Sequence, residues 1–121
     1  MTGLPPLPLP FADFDLEAYA QAKMTEAAWQ MSIIKQAHAC GWLAVHFKPS
    51  KVGDHYLTQV LGDAGSPDLL LARNGVLLLI EVKAQRGRLS PEQERWRDAI
   101  GPQQWRCWRP SYKRAAWEEL A

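Results

Sequence analysis

Asn74-Gly75 stands between two short apolar runs, DLLLA over 68–72 and VLLLIEV over 76–82, with Arg73 just before it. Asn-Gly flanked in this way is the strongest short-range signal for a two-residue type I′ hairpin, because both central residues of that turn need positive φ. A turn this tight also sets register. With Arg73 opposite Val76, Ala72 faces Leu77, Leu70 faces Leu79 and Asp68 faces Glu81. Two carboxylates thus come abreast, with Cβ atoms about 5 Å apart, where like charges are destabilising. Leu70, Ala72, Leu77 and Leu79 share their face, so the acids end an apolar row, and Lys83 continues it two residues beyond Glu81. A shared proton, a cation from the protein or a divalent metal could each hold such a pair. The residue types suit Mg²⁺, which takes few hard oxygen ligands and keeps positions for water and phosphate oxygens. The plain alternative is an exposed hairpin end at which Lys83 neutralises one acid.

The flanking segments read as helix, three strands, helix, strand, helix, a mixed α/β layer structure. Thr25 is an N-cap and Glu26 sits in the first turn, where the helix dipole favours an anion; the helix runs to about Cys40 and stops at Gly41. Glu26, Gln30, Ile33, Ile34 and Ala37 fall on one side, which places Glu26 at the end of the stripe expected to face the core. WLAVHF over 42–47 reads as a strand. Ser90-Pro91-Glu92-Gln93 opens a second helix, with serine as cap, proline at the first helical position and glutamine where a capping box wants it. That helix ends near Ile100, QWRCWR over 104–109 forms a last strand, and 110–120 a last helix. Gln93, Trp96 and Ile100 share a face, so the glutamine is expected to look inward, and Trp96 and Trp105 are expected in the core. Residues 1–23 read as an arm rather than a domain. Pro5, Pro6, Pro8 and Pro10 suit an extended conformation, and Phe11, Phe14, Leu16 and Tyr19 follow among acids. Residues 24–121 remain as the domain.

Composition narrows the classes. A chain of 121 residues with 47% hydrophobic and 22% charged residues suits one ordinary core. No apolar run approaches the ~20 residues that cross a bilayer. The proline-broken start has no basic n-region for a signal peptide, so a cytoplasmic location is expected. Cys40 and Cys107 form no CxxC and read as free thiols in a reducing compartment. His38, His46 and His55 make no zinc spacing with them. P-loop, GxGxxG and GxSxG patterns are missing, which weakens nucleotide, dinucleotide and serine-hydrolase readings. The net charge is only +1, but from Lys83 to Arg114 nine basic residues face three acidic ones. Such a block either meets phosphate or forms a solvated helix face.

Gly65-Ser66-Pro67-Asp68 followed by Glu81-Val82-Lys83 resembles the PD-(D/E)XK nuclease signature. Helical Glu26 upstream, and Ser90-Pro91-Glu92-Gln93 with Trp96 downstream, are similar to its VRR-NUC branch. Trp108-Arg109-Pro110 and Trp117-Glu118-Glu119 look like the close of small stand-alone members, many of them encoded by bacteriophages. The resemblance spans about residues 25–120.

It implies a restriction-endonuclease-like mixed β-sheet flanked by helices, an αβββαβ core plus a C-terminal helix, and hydrolysis of DNA to 5′-phosphate and 3′-hydroxyl ends. Mg²⁺ or Mn²⁺ would be held by Asp68, Glu81 and the backbone carbonyl of Val82. Lys83 would orient or activate the attacking water, Glu26 would support the centre from the first helix through water or as a ligand of a second metal, and Gln93 would reach it from the second helix. No Val-Arg-Arg triplet occurs, and the segment His46 to Ser50 stands where such a basic stretch would fall. Lys48 and Lys51 there, with Arg86 and Arg88 after the ExK strand, are candidates for DNA phosphate contacts. The expected enzyme is a homodimeric endonuclease selective for branched DNA such as four-way junctions or flaps. Its competitors are a catalytically silent DNA-binding module on the same fold and a structural protein whose acids pair with arginines.

Overall fold

The Asn74-Gly75 turn closes as its residue types require, with φ of 50° at Asn74 and 80° at Gly75. A computed structural model describes residues 15–47, 50–52, 55–57 and 62–121, with backbone alone for 50–52 and 55–57. Its elements in chain order are helices α1 (Leu16–Lys23) and α2 (Glu26–Ala39), strands β1 (Leu43–His46), β2 (Ser50–Val52), β3 (His55–Leu57), β4 (Leu69–Arg73) and β5 (Val76–Val82), helix α3 (Pro91–Ile100), strand β6 (Trp105–Trp108), a 3₁₀ turn (Pro110–Tyr112) and helix α4 (Lys113–Leu120).

The main sheet has the order β1-β4-β5-β6. Its first three strands are antiparallel neighbours, and β5 and β6 are parallel, joined by the crossover through α3. Register follows the turn: Arg73 faces Val76, Ala72 faces Leu77 and Leu70 faces Leu79, with Leu69–Ile80 as the last pair. This mixed sheet flanked by helices is the restriction-endonuclease-like arrangement. It carries two additions: helix α1 inside the segment read as an arm, and a β2–β3 hairpin between β1 and β4.

The core lies under the opposite sheet face from the leucine row next to the acids. Leu69 and Leu71 of β4 and Leu78, Ile80 and Val82 of β5 are buried against Trp29, Ile33 and Ala37 of α2 and Ala116 and Leu120 of α4. Leu70, Ala72, Leu77 and Leu79 are only half-buried. The buried stripe of α2 is therefore centred one position away from the expected one. Trp29 is wholly buried, stacks on Trp117 with ring centroids 5.4 Å apart, and donates its indole N–H to the Trp108 carbonyl at 2.9 Å. Glu26 is left exposed at the rim. Arg73 ties the far end together: its guanidinium donates to the carbonyls of Cys40, Leu120 and Ala121 and lies 4.6 Å from the centroid of Trp42. Carbonyls at the ends of two helices are a favourable place for a cation. Both cysteines carry free thiols.

Candidate active site

The site forms where the β4–β5 ladder stops. Beyond Leu69–Ile80 the strand pairing ends, and there a side chain reaches across instead: Asp68 Oδ2 accepts the backbone N–H of Val82 at 2.8 Å. The Asp68 carbonyl accepts from Phe47 N–H at 3.2 Å, which holds its backbone to the chain leaving β1.

Glu81 is 2% exposed. Its Oε1 accepts from Gln93 Nε2 at 2.8 Å and lies 3.7 Å from Lys83 Nζ. Its Oε2 is buried with no hydrogen-bond partner. Burial first, then the Asp68 charge, push the Glu81 carboxyl up from 4.5 to about 8, against the opposing pull of Lys83; Glu26 adds to the rise. Partial burial and Asp68 likewise raise Glu26, which Lys83 opposes. Glu26, Asp68, Glu81 and Lys83 thus share one electrostatic centre, assembled from α2, the β4–β5 hairpin and, through Gln93, α3.

Gln93 serves two partners at once. Its Oε1 accepts from Ser90 N–H at 2.9 Å and its backbone N–H donates to Ser90 Oγ at 3.1 Å, completing the capping box. That leaves the amide NH₂ to face Glu81, so capping and reaching the centre are one arrangement. The turn before Asp68 is seated on the same helix. A Cβ on Gly65 would lie 2.7 Å from the Glu92 carbonyl carbon and 2.9 Å from Gln93 N, and the backbone there has φ of 91°. Only glycine allows that approach. Trp96 is half-buried rather than in the core and donates its indole N–H to the Ala64 carbonyl at 2.9 Å. Trp105 is also only half-buried. Gly65 was legible as part of a motif, whereas its close contact with α3 has no signal in the chain itself.

The remaining expected residues are as follows in the fold. Val82 ends β5, with its N–H given to Asp68. Arg86 and Arg88 are exposed on the turn after Lys83. Lys48 lies outside the described residues, and Lys51 falls in β2, where side chains are not described. A neighbouring pair that sequence reasoning left without a role is Gln30, one helical turn beyond Glu26, whose amide bonds the His46 ring at 2.8 Å.

Among the described residues no group of three or more His, Cys, Asp or Glu is gathered closely enough to hold a metal ion. Mg²⁺ commonly needs only one or two protein carboxylates. Asp68 and Glu81 meet that need, and the partnerless Oε2 of Glu81 is a buried acceptor that a proton or a cation would satisfy. The donor set fits a small divalent ion.

Among known proteins, the profile of the VRR-NUC domain matches residues 21–107. No curated protein and no solved structure matches the chain.

Proposed function

Since the chain belongs to the VRR-NUC domain family and so has a nuclease-type DNA-processing function, we propose that it is an Mg²⁺- or Mn²⁺-dependent endonuclease that hydrolyses DNA phosphodiester bonds and prefers branched substrates. The observation that carries this reading is Asp68, bonded to the Val82 N–H, next to a buried Glu81 that lies 3.7 Å from Lys83 Nζ, with one Glu81 oxygen left without a partner. Two acids this close, one of them nearly inaccessible to water, are hard to account for as surface charge.

Asp68 and Glu81 would hold the ion, joined by the Val82 carbonyl. When bound, it supplies positive charge to the phosphate and lowers the pKa of water. Gln93 keeps the Glu81 carboxylate in one orientation through its 2.8 Å bond. Lys83, whose ammonium lies 3.7 Å from Glu81 Oε1, aligns the attacking water for in-line displacement and stabilises charge on the phosphate oxygens. Glu26 supports the centre from the rim of α2. Lys48 and Lys51 are the further candidates for contact with flanking phosphates.

The enzyme acts as a homodimer, because one chain carries one centre whereas a four-way junction has to be cut twice, and two-fold symmetry supplies both cuts. An exposed apolar strip supports this. Leu43, Val45 and Phe47, at 76%, 49% and 55% exposure, lie on or beside the edge strand β1.

The deciding experiment incubates labelled four-way, flapped, linear and single-stranded DNA with the protein in Mg²⁺, Mn²⁺ or EDTA. Metal-dependent cleavage of the branched forms is expected. Asp68→Ala and Lys83→Ala should lose at least about a hundredfold in rate while still binding DNA. Cleavage at the wild-type rate in both variants refutes the site. Binding without cleavage in either metal means a silent DNA-binding module instead.

A further inference from the structure

Between Lys83 and the cap Ser90 the chain makes a tight turn, closed by the Gly87 N–H donating to the Ala84 carbonyl at 3.0 Å. Arg86 and Arg88 project from it, both exposed, and no carboxylate of the described residues pairs with either. The turn is strapped from outside. Arg109, just past β6, donates from Nη2 to the Gly87 carbonyl at 2.6 Å and from Nη1 to Cys107 Sγ at 3.1 Å. Gln85 and Ser111 exchange bonds in both directions: Gln85 Nε2 donates to Ser111 Oγ at 2.9 Å, and Ser111 N–H donates to Gln85 Oε1 at 2.9 Å. On the inner side Gly87 leaves room for the Lys83 chain, since a Cβ there would lie 3.2 Å from Lys83 Cδ.

Arg109 also lacks an acidic partner among the described residues, so three guanidinium groups stand around one turn with their charge unmatched. An anion is the partner this arrangement suits, and a turn held before the anion arrives loses less freedom on binding. We infer that the 84–88 turn is a preformed cradle for the DNA backbone next to the scissile phosphate. Arg86 and Arg88 make the contacts, and Gln85, Arg109 and Ser111 are the positioning residues that hold it against the end of β6. This rests on the nuclease reading and extends it to residues that touch neither metal nor scissile bond.

Gln85→Ala and Ser111→Ala test it, because neither changes charge; Arg109→Lys keeps the charge and loses the forked contact. For each, KM and kcat are measured on the wild type's preferred DNA with Mg²⁺. DNA affinity is followed against salt in Ca²⁺, and trypsin cleavage after Arg86 and Arg88 is timed on the free protein. KM should rise roughly five- to twentyfold with kcat within about twofold of wild type. Trypsin should cut the turn faster. The salt slope should stay at the wild-type value in Gln85→Ala and Ser111→Ala, whereas Arg86→Ala and Arg88→Ala each lower it by about one. If the wild type cuts DNA and both neutral variants match it in KM and in trypsin cleavage, the strap has no positioning role. A fall in kcat at unchanged KM overturns the cradle equally, by moving the effect from binding to chemistry. A wild type that neither binds nor cuts DNA removes the cradle together with the nuclease reading.

Discussion

Glu81 holds its proton more tightly in the folded chain than in the unfolded one, and this sets how the metal-free protein responds to pH. Its carboxyl titrates near 8 when folded and near 4.5 when not. Between those values the folded state binds the extra proton, so stability is lost as pH rises. The contribution is complete below about pH 4.5 and fades through about pH 8; the raised Glu26 adds to it with the same sign. The melting temperature in EDTA should therefore fall from about pH 5 to about pH 8 and level off above it. Glu81→Gln, which keeps a neutral group of the same shape, should flatten that fall. A melting temperature that is level or rises over this range would contradict the proton-holding role of Glu81. The register up to Leu69–Ile80, which brings Asp68 to the Val82 end of β5, was readable from Asn74-Gly75, because a two-residue turn counts register outward. The burial of Glu81 was not, since it depends on how elements distant in sequence pack around the end of the sheet.

Helix α3 and the 62–68 turn form the joint that brings Gln93 to Glu81, and Gly65 is its tightest point. Two glycines separate strain from collision. Gly75 has φ of 80° and open space around its Cα, whereas Gly65 has φ of 91° and backbone within 3 Å of any added Cβ. Alanine at either position should cost at least about 1 kcal/mol in urea unfolding, from the positive φ alone. Only Gly65→Ala should also slow cleavage several-fold, by pushing the Asp68 turn off α3. Equal cleavage rates in the two variants would mean that this joint does not position the acids. Among the elements, α2 and α3 were legible in the chain because their caps are local: Thr25 bonds Ala28 N–H and Ser90 bonds Gln93 N–H, each within one turn. Which side of α2 is buried was misread by one position. Trp29 outweighs Ile34 once Trp117 of α4 supplies a ring to stack on. The helical piece of the arm is explained by Asp15, which caps α1 by accepting from Ala18 N–H at 3.0 Å. Residues 1–14 of that arm lie outside the described residues.

The exposed strip of Leu43, Val45 and Phe47 is the proposed contact with a second copy. Val45→Lys, alone or with Leu43→Lys, should shift sedimentation from dimer toward monomer at micromolar concentration. It should also convert paired cuts in a four-way junction into single nicks. Wild-type protein that sediments as a monomer would sink the dimer without touching the site. Local chemistry written in the chain specified the hairpin, its register, the two main caps and the pairing of acids with a downstream lysine. Each of these depends on residues a few positions apart, where turn geometry and capping leave little choice. The folded chain alone chose which sheet face is the core, which of two acids is buried, and that Gln93, Gly65 and Arg109 converge on one end of the sheet. Those outcomes hang on contacts between elements far apart in sequence, where packing and desolvation, rather than local propensity, carry the energy.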